Sequence, residues 1–305
     1  MMERNYLSII VICFNMRREA PRTIYSLSKK FQKRIRLEDY EIIVIDNDST
    51  EPLEKNEIEN IGSNISYYFY NSGSQSPVGA INYGVEKAKG EYIGILIDGA
   101  RIMSPMILNW ALYALQTINN PFISTLSWHL GHEQQFISVP KGYTKQHEDK
   151  LLEEIDWKNN GYNLFSISSF AGSSKPGFFQ SVSESNAIFL DKSLYYEIGG
   201  YDICFDLPGG GYCNLDFYKR ACEYPDVTHV ILLGEGTFHQ YHGGITTSSR
   251  DKYVINLLKE YELQYSQIRK ESFVSPKSKP VYIGIIPDSI LPFIQDSITK
   301  ATDKH

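Results

Sequence analysis

A helix, a strand and a polar turn follow one another in VGAINYGVEKAKGEYIGILIDGA, residues 78–100. Apolar residues recur at helical spacing between Val78 and Ala88, and Gly90 is a suitable end for that helix. The apolar run YIGILI predicts a strand that is buried on both faces and that leads directly into Asp98. We therefore predict an α/β unit in which a carboxylate stands at the end of a buried strand.

The same alternation of strands and helices extends to both sides of this unit. Three more apolar runs predict strands, and two segments with the apolar spacing of a helix predict helices. The order strand, helix, strand, strand, helix, strand, helix implies a largely parallel sheet with helical crossovers. The added strands are Leu7 to Cys13, Glu41 to Ile45 and Ile65 to Tyr70, and the added helices are Ala20 to Phe31 and a segment from a Ser104 cap to about Leu115.

Polar residues follow three of the predicted strands. Phe14 and Asn15 follow the first strand, Asp46 to Ser49 follow the second, and Asp98 to Arg101 follow the fourth. A parallel sheet binds its ligands beyond the carboxyl ends of its strands, so these three strand ends should meet at one place. We therefore expect one ligand pocket at this edge of the sheet.

The composition excludes several classes of protein. The chain has 305 residues, of which 42% are hydrophobic and 22% charged, which is typical of a folded globular protein. Its net charge of -6 argues against a surface that holds nucleic acid. The apolar runs near both ends are too short for a transmembrane helix, and we predict none. The four cysteines lack C-x-x-C spacing, which favours a reduced cytoplasmic protein over a zinc site. Peripheral contact of the protein with a membrane stays open.

Two common nucleotide-binding motifs are missing. A dinucleotide-binding Rossmann domain needs a glycine-rich turn after its first strand, whereas here the strand is followed by FNMR, residues 14–17. No G-x-x-x-x-G-K-[ST] phosphate loop occurs either. A nucleotidyltransferase on a similar sheet would also need a glycine-rich first loop with a basic residue. Because the first loop here has no glycine, nucleotidyl transfer is the least favoured of the activities considered.

Six blocks of the sequence, taken in order, resemble the GT-A, family 2 type of glycosyltransferase. The resemblance covers about residues 6–245, and its specificity lies in the ordered series rather than in any one block. The blocks are LSIIVICFN, YEIIVIDNDST, VGAINYGVEKAKGEYIGILIDGA, SNAIFLDKSLYYEIGGYD, GGGYCNLDFYKRA and GEGTFHQYHGG.

This resemblance implies a fold and a division of the chain. The fold would be the GT-A type of nucleotide-sugar-binding α/β fold, with a mostly parallel central sheet flanked by helices. Residues 1–245 would form the glycosyltransferase domain, with a donor half over about 1–120 and an acceptor half over about 121–245. Residues 246–305 would then be a C-terminal helical appendage.

The resemblance also implies an activity. A sugar would pass, with inversion, from a nucleotide-diphosphate-sugar donor to a hydroxyl of a glycan or a lipid-linked saccharide. A non-catalytic protein that binds a nucleotide or a carbohydrate on the same fold is the alternative, because this sequence departs from the family at two chemical positions. We leave open whether the protein forms a homo-oligomer.

The donor site implied by the resemblance lies at the ends of the first, second and fourth strands. The residue that often pairs with uracil falls on Asn47 rather than on an aspartate, and an amide offers both a donor and an acceptor. The identity of the nucleobase therefore stays open. The implied donor-binding residues are Cys13, Phe14, Asn15, Asp46, Asn47, Asp48, Gly79, Asn82, Asp98, Gly99, Ala100 and Arg101.

The implied metal site is the first departure from the family. Asp98 falls on the first position of an Asp-x-Asp motif, but Ala100 replaces the second aspartate. His239 and His242 match the region where similar enzymes supply a histidine to the metal or to the diphosphate. We expect Mg²⁺ or Mn²⁺ at these three residues, with the Arg101 guanidinium as a second way to neutralise phosphate charge.

The catalytic base is the second departure. The family's base position falls on Asn214, which cannot take up a proton at neutral pH. We assign the base to Asp216, the nearby carboxylate in the same block, with Asp206 and Glu184 as alternatives. The acceptor-binding residues implied by the resemblance are Glu184, Asn186, Gly209 and Gly210.

Three further segments receive structural expectations. We interpret Ser166 to Gly177, rich in serine and glycine, as a flexible loop over the site. His129 and His132 are taken as surface or structural residues. The amphipathic helix from Asp251 to about Ile268 is expected to pack on the core, while a role in dimer formation or at a membrane stays open.

Overall fold

A mixed β-sheet forms the centre of the structure, which is a computed structural model describing residues 6–244 and 252–303. In chain order its strands are β1 Leu7–Cys13, β2 Tyr40–Asn47, β3 Ile65–Tyr70, β4 Tyr92–Leu96, β5 Arg101–Met103, β6 Pro121–Leu130, β7 Ser168–Phe170, β8 Ala187–Asp191, β9 Thr228–His239 and β10 Val281–Gly284. The helices are α1 Ala20–Leu27, α2 Lys55–Glu59, α3 Val78–Lys87, α4 Ile107–Thr117, α5 Gln135–Ser138, α6 Lys145–Glu154, α7 Lys192–Ile198, α8 Cys213–Cys222, α9 Lys252–Arg269 and α10 Leu291–Thr302.

The strand order is β10-β9-β6-β8-β4-β1-β2-β3, with β5 added to β9 and β7 added to β6. Along the main order every neighbouring pair is parallel except the two that β8 makes with β4 and β6. The short strands β5 and β7 run antiparallel to their partners. The predicted α/β fold with a mostly parallel sheet flanked by helices is therefore confirmed.

Both faces of the sheet are covered because its central strands are apolar on both sides. All seven residues of β1 are buried, and alternate side chains enter two different apolar clusters. Helices α1 and α4 contribute to one cluster, and α3, α7 and α8 contribute to the other. A third cluster surrounds Trp128 at the far side of the sheet, where Phe165, Phe170 and Phe293 contact its ring.

Some predicted element ends differ from the structure for identifiable reasons. Helix α1 ends at Leu27 rather than at Phe31, because Ser28 leaves the helical conformation. Ser104 does not cap α4, since its hydroxyl donates a hydrogen bond to Glu235 and the helix begins at Ile107. The segment interpreted as a loop, residues 166–177, contains β7 and a short 3₁₀ turn.

The C-terminal segment differs most from its prediction. The predicted start of its first helix, Asp251, lies outside the described residues, as does the predicted domain boundary at residue 245. From residue 252 onward, α9 packs into the core through Tyr265, and β10 joins the central sheet beside β9. The segment is therefore not a helical appendage, because it shares the sheet and the core. Among the described residues, no helix combines the length and the apolar character needed to cross a bilayer.

Candidate active site

A pocket of about 600 Å³ lies at the carboxyl ends of β1, β2 and β4. It collects most of the sequence-predicted site residues, although they come from distant parts of the chain. The three strand ends meet there as expected and form what we call the donor edge, after its predicted role. Residues that lie just before and after β8 form the opposite wall, which we call the acceptor wall for the same reason. The predicted residues that line it are Phe14, Asn15, Asn47, Asp98, Arg101, Glu184, Asn186, Gly209, His239 and His242.

Other predicted donor residues lie behind the pocket wall and hold it in place. The Asp46 carboxylate is fully buried and accepts hydrogen bonds from two backbone amides and from the Tyr67 hydroxyl. Asp48 accepts a hydrogen bond from the Gly73 amide. Burial of Asp46 removes it from the donor-binding residues, and Asp48 lies outside the pocket lining, so its donor-binding role stays a prediction.

Five more predicted residues also lie outside the pocket lining. Asn82 is bonded to the Tyr195 hydroxyl and to the backbone of Tyr201. A side chain on Gly99 would meet the Cys13 sulfur at 2.4 Å, so the glycine allows the turn after Asp98 to pack on the end of β1. The residues concerned are Cys13, Gly79, Asn82, Gly99 and Ala100, and Gly210 beside the acceptor wall is likewise buried outside the lining.

One row of side chains crosses three strands at the centre of the site. His239, the last residue of β9, is the register partner of His129 on β6 and of Arg101 on β5. Register partners project from the same face of a sheet, so the three side chains meet at one wall of the pocket. Asp98 lies three residues before Arg101 and faces this row.

The carboxylate of Asp98 is surrounded by basic side chains. Its Oδ2 lies 3.2 Å from Arg101 Nε and 3.3 Å from His239 Nε2, and its Oδ1 lies 3.9 Å from His242 Nε2. Burial acts to raise the pKa of Asp98, but the surrounding positive charge, led by the Arg101 guanidinium, holds that pKa well below its usual value. Asp98 is therefore an anion at neutral pH.

The same cluster has the donor atoms of a metal site. Ligand atoms of Asp98, His239 and His242 all lie within 4.8 Å of one another. Burial lowers the pKa of His239 to about 4, so its imidazole is neutral at physiological pH and has a lone pair to offer. One carboxylate and two imidazoles fit a divalent transition ion better than Mg²⁺, which prefers oxygen ligands.

Asn47 presents a hydrogen-bond acceptor to the other end of the pocket. Its side chain is 2% exposed, and its Nδ2 donates to the Ser76 carbonyl oxygen at 3.2 Å. Within residues 6–244 and 252–303, no partner bonds its buried Oδ1. A buried acceptor without a partner is costly, so this oxygen marks a place where a ligand N–H group would fit.

Residues 8–98 match the family model described as glycosyl transferase family 2. The similarity to that family covers this part of the chain. The match contains β1 to β4 and ends on Asp98, so it covers the donor edge of the pocket and stops before the acceptor wall. A search of curated proteins finds no relative of this sequence.

Several solved structures resemble this chain in fold. TarS 1-349 of S. aureus in complex with UDP-GlcNAc is 12% identical at a TM-score of 0.52, and the alignment covers 86% of this chain and 66% of that one. The TarS complex with UDP gives 11% identity, a TM-score of 0.51 and coverage of 86% and 72%. The mannosyltransferase PcManGT of Pyrobaculum calidifontis, in complex with GDP-Man and Mn²⁺, is 13% identical at a TM-score of 0.49, with coverage of 99% and 71%. The TarS likeness establishes the GT-A fold.

On the opposite wall of the pocket, a carboxylate is held next to Asn214. Asn214 Nδ2 donates to Glu184 Oε2 at 2.9 Å and to the Ser185 carbonyl oxygen at 3.1 Å. The Tyr201 hydroxyl donates to Asn214 Oδ1 at 3.1 Å, which fixes the orientation of the amide. Glu184 is half-buried and lines the pocket, so it has the access that a base needs.

Asp216 does not have that access, and its assignment as the base is corrected. Its side chain is 1% exposed and lies outside the pocket lining. Arg220 Nε and Arg269 Nη2 each lie 2.8 Å from its Oδ2, and Arg269 Nε lies 2.5 Å from its Oδ1. A carboxylate bound by two guanidinium groups inside the protein holds α9 against α8 rather than taking a substrate proton. The alternative Asp206 is exposed and also lies outside the lining.

Several pocket residues carried no usable signal in the sequence. His129 was taken as surface or structural, but it is buried in the pocket wall with its ring centroid 5.4 Å from that of His239. Tyr261 on α9 reaches the pocket from the segment interpreted as an appendage, and its hydroxyl donates to the Pro208 carbonyl oxygen. Strand pairing places His129 and helix docking places Tyr261, so a local pattern could not have found either residue.

Proposed function

We propose that this protein transfers a sugar from a nucleoside-diphosphate sugar to a hydroxyl of a glycan or a lipid-linked saccharide. The observation that carries the proposal is a single pocket that is lined by the Asn47 amide, the Arg101 guanidinium and the Glu184 carboxylate. The family 2 region supports it, because that region forms the donor edge of this pocket.

The centre of the pocket would hold the diphosphate. Asp98, His239 and His242 would bind a divalent cation, Mn²⁺ in preference to Mg²⁺, which would neutralise the leaving nucleoside diphosphate. Arg101 is 6% exposed, and its Nη1 has no hydrogen-bond partner among the described residues. A guanidinium with free donors in a pocket wall can bind a phosphate oxygen, so Arg101 would add a second positive charge there.

The nucleobase would lie against Asn47. With Nδ2 held by Ser76, the amide can offer only its Oδ1 to a base. This oxygen would accept a hydrogen from the ring N–H of uracil or guanine, whereas cytosine and adenine present an acceptor at the corresponding ring nitrogen. UDP-sugars are our first choice, because TarS, which shares the fold, binds UDP-GlcNAc.

Glu184 would act as the base of an inverting reaction. Its carboxylate would take the proton of the acceptor hydroxyl while that oxygen bonds to the anomeric carbon. The bond between the anomeric carbon and the diphosphate oxygen breaks at the same time, and the electron pair leaves with the nucleoside diphosphate. Asn214, at the position where the family carries its base, would orient Glu184 through its hydrogen bond.

A ligand screen followed by a transfer assay tests this proposal. Thermal shifts with UDP, GDP and their sugars should rise when Mn²⁺ is added, because binding stabilises the folded state. The donor that binds should be hydrolysed slowly without acceptor. Asp98→Ala should lower turnover by about 10²–10⁴-fold, because the carboxylate that holds the cation is lost.

A matched variant makes the assay specific. Asp48→Ala removes a carboxylate that also follows a strand but bonds to the Gly73 amide outside the pocket, and it should keep most of the activity. Equal rates for wild type and Asp98→Ala with a bound donor would rule out this site as the catalytic centre.

The alternative of a non-catalytic binding protein rests on Asn214 and on the single carboxylate at Asp98. It predicts tight nucleotide binding that leads to neither hydrolysis nor transfer with any donor. Slow hydrolysis of a bound nucleotide sugar, abolished in Glu184→Gln or Asp98→Ala, would exclude it.

A further inference from the structure

Gln135 lies behind His239 and forms hydrogen bonds with two histidines. Its side chain is fully buried, and it does not line the pocket. Its backbone N–H donates to His129 Nδ1 at 2.9 Å. Its side-chain Oε1 lies 2.6 Å from His239 Nδ1, and its Nε2 donates to the His239 carbonyl oxygen at 3.1 Å. One residue therefore contacts both histidines of the row that crosses β6 and β9.

These contacts determine which nitrogen of His239 carries the proton. A backbone carbonyl oxygen only accepts hydrogen bonds, so the group of Gln135 that faces it must be Nε2. The other amide atom, Oε1, then faces His239 Nδ1 and also only accepts. Nδ1 must therefore carry a hydrogen, so Nε2 is the ring nitrogen that can offer a lone pair to a cation.

That lone pair faces a carboxylate. His239 Nε2 lies 3.3 Å from Asp98 Oδ2, and in the Nδ1–H tautomer both atoms are acceptors. Two acceptors this close repel each other unless a cation lies between them. His242 Nε2 is 3.9 Å from the other carboxylate oxygen, so the three ligand atoms enclose one position for that cation.

We propose that Gln135 is a positioning residue that holds His239 in its Nδ1–H tautomer and so directs the Nε2 lone pair to a divalent cation shared with Asp98. This inference rests on the cation site of the proposed function. A residue that orients a metal-ligating histidine commonly changes metal affinity about 10–100-fold when it is removed.

His129 provides an internal reference within the same molecule. Because the Gln135 backbone N–H donates to its Nδ1, His129 has its hydrogen on Nε2, the opposite tautomer from His239. Substitution of the Gln135 side chain keeps this backbone N–H, so His129 should keep its tautomer in every variant.

The test has two measurements on the full chain. ¹⁵N NMR of labelled histidines, without metal, reports the tautomer of His239. Titration with Mn²⁺ alone, followed by electron paramagnetic resonance of the free ion, reports the Mn²⁺ affinity. Wild type should show His239 with hydrogen on Nδ1. Gln135→Leu should give a mixed or Nε2–H signal for His239 and an Mn²⁺ affinity lower by about 10–100-fold. Gln135→Glu keeps an acceptor for Nδ1–H and should restore the tautomer, but it should lower the stability, because its second oxygen would face the His239 carbonyl oxygen without a donor.

Gln32→Leu is the matched control. Gln32 is also a fully buried glutamine whose amide bonds to backbone groups, but these belong to Ser26, Ser104 and Leu108, away from the pocket. This variant should bind Mn²⁺ as wild type does, even if it is less stable.

Three results would overturn the inference. The first is an Nε2–H signal for His239 in wild type, and the second is an unchanged Mn²⁺ affinity in Gln135→Leu. The third is an Nδ1–H signal for His239 in a wild type that binds no Mn²⁺, which would remove the ligand role of this residue. A transfer assay with a chelator then distinguishes this third result from a failure of the proposed function. If sugar transfer persists without a divalent cation, the proposed function stands and Arg101 would neutralise the diphosphate.

Discussion

The donor edge and the acceptor wall of the pocket are built in different ways. On the donor edge, Phe14, Asn47 and Asp98 each stand at or just beyond the end of a strand, and those strands are neighbours in parallel register. On the acceptor wall, Glu184 is held by Asn214, some 30 residues away, and Tyr261 arrives from α9.

This difference has consequences for mutation. A side chain at a strand end keeps its place as long as the sheet forms, so a change on the donor edge should alter binding and leave the fold intact. On the acceptor wall the positions depend on side-chain bonds between distant segments, so chemistry and stability are coupled there. The predictions below separate the two regions.

The largest effect is expected for Glu184→Gln on the acceptor wall. Loss of the proposed base should lower the transfer rate by about 10²–10⁴-fold at saturating donor, while the donor KM stays close to that of wild type. Initial rates of sugar transfer and nucleotide thermal shifts measure the two quantities on the same sample. A variant that transfers at the wild-type rate would remove Glu184 from the reaction.

Asp216→Asn should act on stability instead. It would remove the negative charge that pairs with Arg220 and Arg269 and that joins α9 to α8. Because both guanidinium groups keep some exposure to solvent, we expect a loss of about 3 kcal/mol in the free energy of unfolding, at the lower end of the range for a broken buried pair. Urea denaturation followed by circular dichroism measures this loss.

Asp206→Asn is the control for that experiment. Asp206 is exposed and accepts a hydrogen bond from Gln264 of α9. Loss of its charge should therefore lower the free energy of unfolding by less than about 1 kcal/mol. If Asp216→Asn unfolded at the wild-type urea concentration and lost transfer at the same time, the base assignment would return to Asp216.

The smallest effect is expected on the donor edge, for Asn47→Leu. Loss of one uncharged hydrogen bond to the nucleobase should raise the donor KM on the order of tenfold and change kcat little. Asn82→Leu is the control, because Asn82 is also an asparagine beside this edge but bonds to Tyr195 and Tyr201. Equal donor KM values for Asn47→Leu and wild type would place the base elsewhere in the pocket.

The sequence was sufficient for the donor edge. Strands β1 to β4 were predicted because strands buried on both faces are continuous apolar runs, and such runs are visible locally. The residues after these strands had to converge because carboxyl ends of parallel strands share one edge. Phe14, Asn47 and Asp98 lie together for this reason, and the largely parallel α/β sheet follows from the same pattern.

Tertiary structure alone decided the chemistry of the opposite wall. Asp216 and Glu184 are both carboxylate residues in the sequence, and only packing shows that two arginines surround the first while the second lines the pocket. The same holds for Gln135, whose role depends on two histidines in strands that pair across more than 100 residues. Local periodicity encodes helices and strands, whereas the partner of a polar side chain depends on which elements finally pack together.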